Sequence, residues 1–269
     1  MKIPNLSSNI QEEIYKFIIN RQLTFNEPVR DAIFEKLEEL DENCIILYFP
    51  QENEENDGSL IKRYINGRVI NFVHINTYKV IEKQVFTAAH ELAHILNLHE
   101  YLLTNCNGYN IELEESAMNY FAALVLMPHN LFKKDVENLF AAYGTDIKID
   151  DFIKISLNLM DKYFVPFKAV VVRLYEIGII NEETANFLIN NDNIIAKIND
   201  YIQIYGFTRL GIRSQKKGIK NFPAIISKVE EKEIFNENKI KNIRKKLNIP
   251  ESNKLESIQS NIPLEKING

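Results

Sequence analysis

The sequence predicts an α+β protein in which a small β-sheet precedes a histidine-bearing helix and a glutamate-bearing helix, and a mainly helical C-terminal region follows. Three observations support this prediction. Asn66-Gly67, a dipeptide typical of tight hairpin turns, separates two β-rich runs. His90 and His94 lie in a long stretch without glycine or proline. Beyond residue 150, apolar residues recur at helical spacing. With 269 residues, 45% of them hydrophobic, the chain can bury a sizeable core.

The segment before the histidines is predicted to contain two helices and three strands. Helical periodicity is found in residues 10–20 and 29–40, and β-rich patterns are found in residues 44–49, 60–65 and 68–75. The last two patterns flank Asn66-Gly67 and therefore form the predicted hairpin. The histidine helix is predicted for residues 78–98, with Asn76 or Thr77 as its N-cap.

The stretch His90-Glu91-Leu92-Ala93-His94 is the candidate metal-binding element. Positions i and i+4 lie on one face of a helix, so the two imidazoles can bind one ion. Zinc is the favoured ion because it accepts nitrogen ligands in a tetrahedral arrangement. Glu91 can then act as a general base on an attacking water. The alternative is a helix with two ordinary surface histidines.

A second helix, predicted for residues 112–128, can supply the third protein ligand that a catalytic zinc site needs. Glu115 is favoured because Asn119 lies one turn later on the same face, where it can hydrogen-bond the outer nitrogen of a zinc-bound histidine. Glu112 is the second candidate, and Glu114 is expected to face the solvent. The alternative for each acid is a charged first turn that the helix dipole favours.

These two segments resemble the ImmA/IrrE family of metallopeptidases. In that family, HExxH is followed by a glutamate-bearing helix that continues through Asn/Asp-x-Phe-Ala and ends in Leu-Met-Pro. The matching residues here are Glu115, Asn119-Tyr120-Phe121-Ala122 and Leu126-Met127-Pro128. The resemblance implies that His90, His94 and Glu115 bind the metal and that Glu91 is the base. Ala117 stands where the family often has a second acid, a departure that removes no ligand.

The resemblance also implies a zincin-like metallopeptidase domain with a zinc ion. In such enzymes an edge strand beside the metal helix holds an extended substrate. The strand predicted at residues 68–75 is the candidate, and an ordinary paired strand is the alternative. The family further implies a protein substrate, a helix-turn-helix transcriptional repressor, whose cleavage switches on genes of a mobile element or a stress response.

Five other polar residues lie close to these motifs. His74 in the hairpin strand, and Tyr101 and Tyr109 in the loop expected between the two metal-binding helices, could stabilise an oxyanion. The sequence does not choose among them. His99 and His129 are expected to be surface residues.

Residues 146–205 are predicted to form a helical, helix-turn-helix-like segment. Its helices are expected at residues 151–163, 167–177 and 182–190. The basic residues of the first two helices are offset by acidic ones, whereas a DNA-reading helix usually needs a cationic surface. We therefore favour a structural or partner-docking helix pair over a DNA reader.

Charge separates the C-terminal part from the rest. Residues 1–205 contain 18 basic and 30 acidic residues, whereas residues 206–254 contain 13 basic and 5 acidic ones. The predicted domains are thus a zincin-like metallopeptidase domain (1–145), the helical segment (146–205) and a basic C-terminal region (206–269). Nucleic-acid binding by the basic region is possible but not favoured, because charge runs are more often solvated faces. The end of the chain, from residue 250, is expected to be only partly ordered.

Composition favours an intracellular location. The residues after Met1 do not form the apolar run of a signal peptide, and no segment approaches the ~18–20 apolar residues of a membrane span. Cys44 and Cys106 do not suggest a disulfide framework. The expected location is the cytoplasm, without membrane association.

The leading hypothesis is a zinc-dependent intracellular endopeptidase that cleaves a repressor. A non-catalytic antirepressor with a structural metal site is the alternative, and a DNA-binding regulator with a vestigial peptidase domain is a third possibility. The presence of Glu91 argues against a purely structural metal, because a structural site needs no general base.

Overall fold

The structure is a computed structural model that describes residues 6–52, 56–144, 147–220 and 222–247. Its strands are β1 (Cys44–Phe49), β2 (Gly58–Ile65) and β3 (Arg68–Asn76). The helices of the first half are α1 (Ser8–Asn20), α2 (Ile33–Leu40), α3 (Ile81–Ile95), α4 (Leu98–Asn105), α5 (Glu114–Leu126) and α6 (His129–Tyr143). Those of the second half are α7 (Ile149–Tyr163), α8 (Phe167–Glu176), α9 (Glu182–Asn190), α10 (Asp192–Ile204), α11 (Phe222–Glu231) and α12 (Glu237–Leu247). The predicted α+β class is confirmed. The prediction for the chain beyond residue 250 lies outside the described residues.

The small sheet has the strand order β1-β3-β2. β1 pairs with β3 in parallel, and β2 pairs with β3 in antiparallel around the Asn66-Gly67 turn. β3 is therefore central, and the prediction that it is the exposed edge strand is wrong. Within the described sheet β2 is an edge strand, because β1 pairs with β3. A hairpin pattern in the sequence cannot reveal which of its two strands a distant third strand will join, so the prediction chose the wrong one.

The predicted histidine helix is α3, called the metal helix below because it carries His90 and His94. It begins at Ile81, so the prediction that Asn76 or Thr77 caps it is wrong. Asn76 is completely buried and its side chain joins two loops instead. Its Oδ1 accepts hydrogen bonds from the backbone N–H groups of Gln51 and Tyr78, at 2.8 and 3.1 Å. Its Nδ2 donates to the carbonyls of Gln51 and Asn56, at 2.8 and 2.6 Å. Asn76 thereby holds together the chain segments at one end of the sheet.

α3 packs against α5, and many of the buried side chains on both helices are small. Ala88, Ala89 and Ala93 of α3 and Ala117 and Ala122 of α5 have no exposed surface. Small side chains let two helices approach closely, and this contact brings the predicted metal ligands of α3 and α5 together. The segment between them, which was expected to be a loop, contains α4; that expectation is wrong.

The chain divides into two compact units, of which the first comprises residues 1–215 and the second begins at Lys216. The first unit contains the sheet and helices α1–α10. The second contains α11 and α12, whose Glu230 and Arg244 form an ion pair at 2.5 Å. Throughout the described residues, every helix is too short or too polar to cross a bilayer.

Candidate metal centre

α3 presents His90 and His94 side by side. Four residues separate them, so both imidazoles project from one face of the helix. Their Nε2 atoms lie 3.3 Å apart, and the ring centroids lie 5.1 Å apart. The two Nε2 atoms therefore point at a common position in front of the helix.

Glu115, in the first turn of α5, faces this position. Its Oε2 lies 3.3 Å from His90 Nε2 and its Oε1 lies 3.8 Å from His94 Nε2. One tetrahedral ion with bonds of about 2.1 Å separates its ligand atoms by about 3.4 Å. The spacing in the structure therefore suits a single tetrahedral ion. Glu112, the second candidate, lies in a 3₁₀ turn before α5 and does not belong to this group.

Each histidine also has a polar partner at its outer nitrogen. Asn119 Oδ1 lies 3.1 Å from His90 Nδ1, as predicted from its position one turn after Glu115. Glu114 Oε1 lies 3.4 Å from His94 Nδ1, and Glu114 Oε2 lies 3.6 Å from His99 Nδ1. The prediction that Glu114 faces solvent is wrong. A histidine's outer hydrogen bond fixes the ring orientation and its tautomer.

Glu91 is buried beside the histidines, with 6% of its surface exposed. Burial raises its pKa to about 7, and the charge of Glu115 adds to the shift while His90 opposes it. Burial also lowers the pKa of His94, which favours the neutral imidazole that a metal requires. Glu115 has a lowered pKa because it pairs with His90. Burial lowers the pKa of His90 as well, but pairing with Glu115 and the charge of Glu91 outweigh it and raise the pKa. The group thus combines a carboxylate favoured in its ionised form, Glu115, with a carboxyl group able to exchange protons near neutral pH, Glu91.

Gly58, at the start of β2, brings the edge strand against the metal helix. A Cβ atom at this position would lie 2.5 Å from Thr87 Cγ2, 2.7 Å from the His74 carbonyl oxygen and 3.8 Å from Glu91 Oε1. Only glycine allows so close an approach. In the sequence, Gly58 lies just before the β-rich pattern at residues 60–65, and nothing in its local pattern points to α3.

The comparisons with known proteins agree with this geometry. Residues 41–175, about half of the chain, match the peptidase family described as the IrrE N-terminal-like domain. The chain belongs to this family. The predicted resemblance to the ImmA/IrrE metallopeptidases is thereby confirmed, and the His90, His94 and Glu115 group that could hold a metal lies within the matched residues.

One solved structure similar to part of this IrrE-like chain is a Mycobacterium tuberculosis transcriptional regulator, with 16% sequence identity and a TM-score of 0.42. The similarity covers 64% of this chain and 48% of that protein, so the IrrE-like chain spans about half of its length. No curated protein matches the chain.

The other polar candidates of the IrrE-like domain make different contacts. His74 Nε2 lies 3.2 Å from the Phe49 carbonyl oxygen. Tyr101 donates a hydrogen bond to Glu13 Oε2 at 3.1 Å, and the hydroxyl of Tyr109 lies 2.9 Å from His99 Nδ1. Among these five predicted candidates, only His99 lines the cleft at the metal centre within the described chain. His129 begins α6.

The cleft in front of the metal centre has a volume of 1350 Å³. β2, α3 and α5 contribute polar side chains, including the candidate ligands. α8 and α10 contribute a mainly apolar wall, with Val172, Tyr175, Ile198 and Ile202 among its residues. The space is large enough for several residues of a peptide. α8, predicted as part of the helix-turn-helix-like pair, is thus a wall of this cleft.

Proposed function

We propose that this IrrE-like protein is a zinc-dependent endopeptidase acting on a protein substrate in the cytoplasm. The observation that carries the proposal is the convergence of His90, His94 and Glu115 with Glu91 beside them. Three protein ligands leave a fourth position open, as catalytic zinc sites require, whereas structural sites are closed by four. Glu91 supplies the base that a purely structural ion would not need.

His90, His94 and Glu115 fit zinc by donor type and spacing. Two neutral imidazole nitrogens and one carboxylate oxygen are ligands that zinc accepts, and their separations of 3.3–3.8 Å suit a tetrahedral ion. When bound, zinc supplies Lewis-acid activation of a water and polarises the scissile carbonyl. Asn119 and Glu114 hold the two imidazoles in orientation.

Glu91 performs the proton transfer. Its carboxylate accepts a proton as water attacks the scissile carbonyl, and it then delivers that proton to the leaving amine. Burial raises the pKa of Glu91 to about 7, so both protonation states are accessible near neutral pH. Glu91 is thereby suited to act first as base and then as acid.

The edge of β2 is suited to hold the substrate. Asp57, Gly58, Ser59, Leu60 and Lys62 line the cleft, and β2 pairs with β3 on its other side. An extended peptide can add to such an edge through backbone hydrogen bonds, with little demand on its sequence. The contact of Gly58 with α3 would place the bound peptide next to Glu91.

The substrate we propose is a helix-turn-helix transcriptional repressor, whose cleavage would release genes of a mobile element or a stress response. This part rests on the family resemblance alone. The test is co-expression of the protein with the repressor encoded nearest to its gene, comparing wild type with Glu91→Gln. With wild type, the intact repressor should be replaced by two fragments whose masses add up to that of the repressor plus one water. With the variant, the mass of the repressor should stay unchanged.

The same experiment tests the antirepressor alternative. If the repressor remains intact but is inactivated equally by both proteins, the peptidase proposal fails for that partner. If the metal-free protein unfolds, the ion has a structural role.

A further inference from the structure

One wall of the cleft carries a partly buried carboxyl group that is ion-paired through one of its oxygens. Glu176, at the end of α8, lines the cleft, and its side chain is 13% exposed. Its Oε2 accepts a hydrogen bond from Arg173 Nη1 at 2.9 Å. Oε1 is not among the fully buried polar atoms that lack a partner, so it is open to water and to a hydrogen-bond donor that enters the cleft.

Arg173 fixes Glu176 from behind. The guanidinium is 1% exposed, and its Nε and Nη2 make no hydrogen bonds within the described residues. Its only ion pair in this part of the chain is the one with Glu176. Arg173 therefore restrains the carboxyl group from the protein side and leaves Oε1 to the cleft.

The surroundings of Glu176 are mainly apolar. Ala169, Val172 and Tyr175 of α8 line the cleft with it, and residues 169, 172 and 176 share one helix face because they are spaced by three and four. Apolar walls exclude water and strengthen the attraction between a carboxylate and a cation. They can also contact the aliphatic stem of a long basic side chain.

The cleft as a whole is acidic. Among the described residues that line it, seven are acidic and three are basic. The acidic ones are Asp57, Glu82, Glu91, Glu100, Glu114, Glu115 and Glu176, and the basic ones are Lys62, Lys83 and Lys168. A cleft with low-dielectric walls concentrates its field, so this one attracts cationic segments.

Glu176 lies in the same cleft as the candidate metal ligands. His90, His94 and Glu115 line this cleft together with Glu176. A peptide bound along the cleft would therefore be within reach of both the candidate ligands and Glu176.

We propose that Glu176 is a specificity residue that binds a lysine or arginine side chain of the peptide substrate. The inference builds on the proposed peptidase function, because the ligand is the peptide to be cut. The binding step can nevertheless be measured without cleavage.

The test is an arginine scan in a fluorescein-labelled host peptide of alanine and leucine. Each position carries either arginine or its neutral isostere citrulline, and binding to the zinc-loaded Glu91→Gln protein is followed by fluorescence anisotropy. At one position or two adjacent ones, arginine should bind about tenfold more tightly than citrulline. In the Glu91→Gln background, Glu176→Gln should reduce this preference to less than about twofold, whereas Glu176→Asp should retain part of it.

Glu100→Gln is the matched control, because Glu100 is an exposed acid lining the same cleft. It should leave the arginine preference unchanged. Since Glu176→Gln deprives buried Arg173 of its counter-charge, thermal unfolding of each variant must accompany the titrations. The comparison of arginine with citrulline in the Glu91→Gln protein leaves Glu176 and its pairing with Arg173 intact. Its result therefore does not depend on the stability of the Glu176 variants.

Three results would overturn the inference: equal binding of arginine and citrulline peptides at every position, no binding of any arginine peptide, or a preference that persists in folded Glu176→Gln. Repressor cleavage by wild type combined with any of these results would reject only the inference. An arginine preference dependent on Glu176, without hydrolysis of any protein, would reject the proposed peptidase function and leave the inference intact.

Discussion

Glu114 lies directly before the proposed ligand Glu115, yet its Oε1 lies 3.4 Å from Nδ1 of His94, on the outer side of that ring. Consecutive helical residues point in different directions, so one acid faces the inner nitrogens and its neighbour faces an outer one. With Asn119 at His90, both proposed histidine ligands are restrained from behind. The first turn of α5 therefore supplies a ligand and a support for a second ligand.

Removing the support should weaken metal binding. We expect Glu114→Ala to lower zinc affinity about 10–100-fold, because the ring of His94 loses its orienting carboxylate. Competition titration with a chromogenic chelator measures the change. Glu112→Ala, an exposed acid in the preceding turn, is the control and should bind zinc like wild type. Equal affinities of the Glu114→Ala and Glu112→Ala proteins would contradict the proposed role.

Glu91→Gln should separate metal binding from catalysis. We expect zinc content to be unchanged and cleavage to fall about 10²–10⁴-fold, because glutamine cannot accept the proton from water. The melting temperature should stay constant or rise, since glutamine removes a buried ionisable group whose pKa is raised by burial. Metal analysis, a cleavage time course and a thermal melt test the three parts. Loss of zinc from this variant would mean that Glu91 is a ligand.

Gly58→Ala should separate β2 from the metal helix. The new methyl group would overlap Thr87 Cγ2 and the His74 carbonyl oxygen, at 2.5 and 2.7 Å. We expect a loss of roughly 1–3 kcal/mol in the free energy of unfolding, as for other overpacked sites, together with reduced cleavage. Urea denaturation measures the first effect. Ser59→Ala is the neighbouring control, and a Gly58→Ala protein as stable as this control would rule out the close contact.

Glu82 should make stability depend on pH. It is 3% exposed and accepts hydrogen bonds from the backbone N–H of Gly211, but burial dominates and raises its pKa above the ordinary 4.5. A raised pKa in the folded state contributes stability that is present below the unfolded-state pKa and is lost as pH rises through the folded-state value. The glutamine of Glu82→Gln does not titrate. The free energy of unfolding of this variant, minus that of wild type, should therefore increase as pH rises from 4.5 to neutrality. Urea denaturation of both proteins across this range provides the measurement, and a relative gain that shrinks with rising pH would be the opposite of what we expect.

The 211–215 segment should be needed for the stability of the first unit. The Ile212 carbonyl accepts a hydrogen bond from Ile81 N at 2.8 Å, and Gln215 N donates to the Thr77 carbonyl at 3.1 Å. The first contact is made by the first residue of α3, and the second by the segment that leads into it. We therefore expect a chain truncated after Tyr205 to melt at a lower temperature than one truncated after Gln215. Equal melting temperatures would show that the segment is dispensable, in agreement with the boundary after residue 205 proposed from charge.

Local patterns predicted much of the fold and of the candidate site. Helical spacing is a property of consecutive residues, so the helices around His90, Glu115 and residues 151–190 were found at nearly their observed bounds. The hairpin followed from Asn66-Gly67 for the same reason. The choice of Glu115 over Glu112 followed from the spacing to Asn119. α4 was missed because Tyr101 and its neighbours lie in a short segment with little amphipathic contrast.

The sequence by itself determined the residue types of the metal centre, their helical faces and the family to which the chain belongs. Only the tertiary structure decided that β2 lies at the edge, that Glu114 supports His94, that Gly58 contacts α3 and that Glu176 lines the cleft. The physical reason is that the features determined by the sequence depend on neighbouring residues along one helix or hairpin. The features decided by the tertiary structure depend on which elements pack together, and that is set by the burial of side chains distant in the sequence.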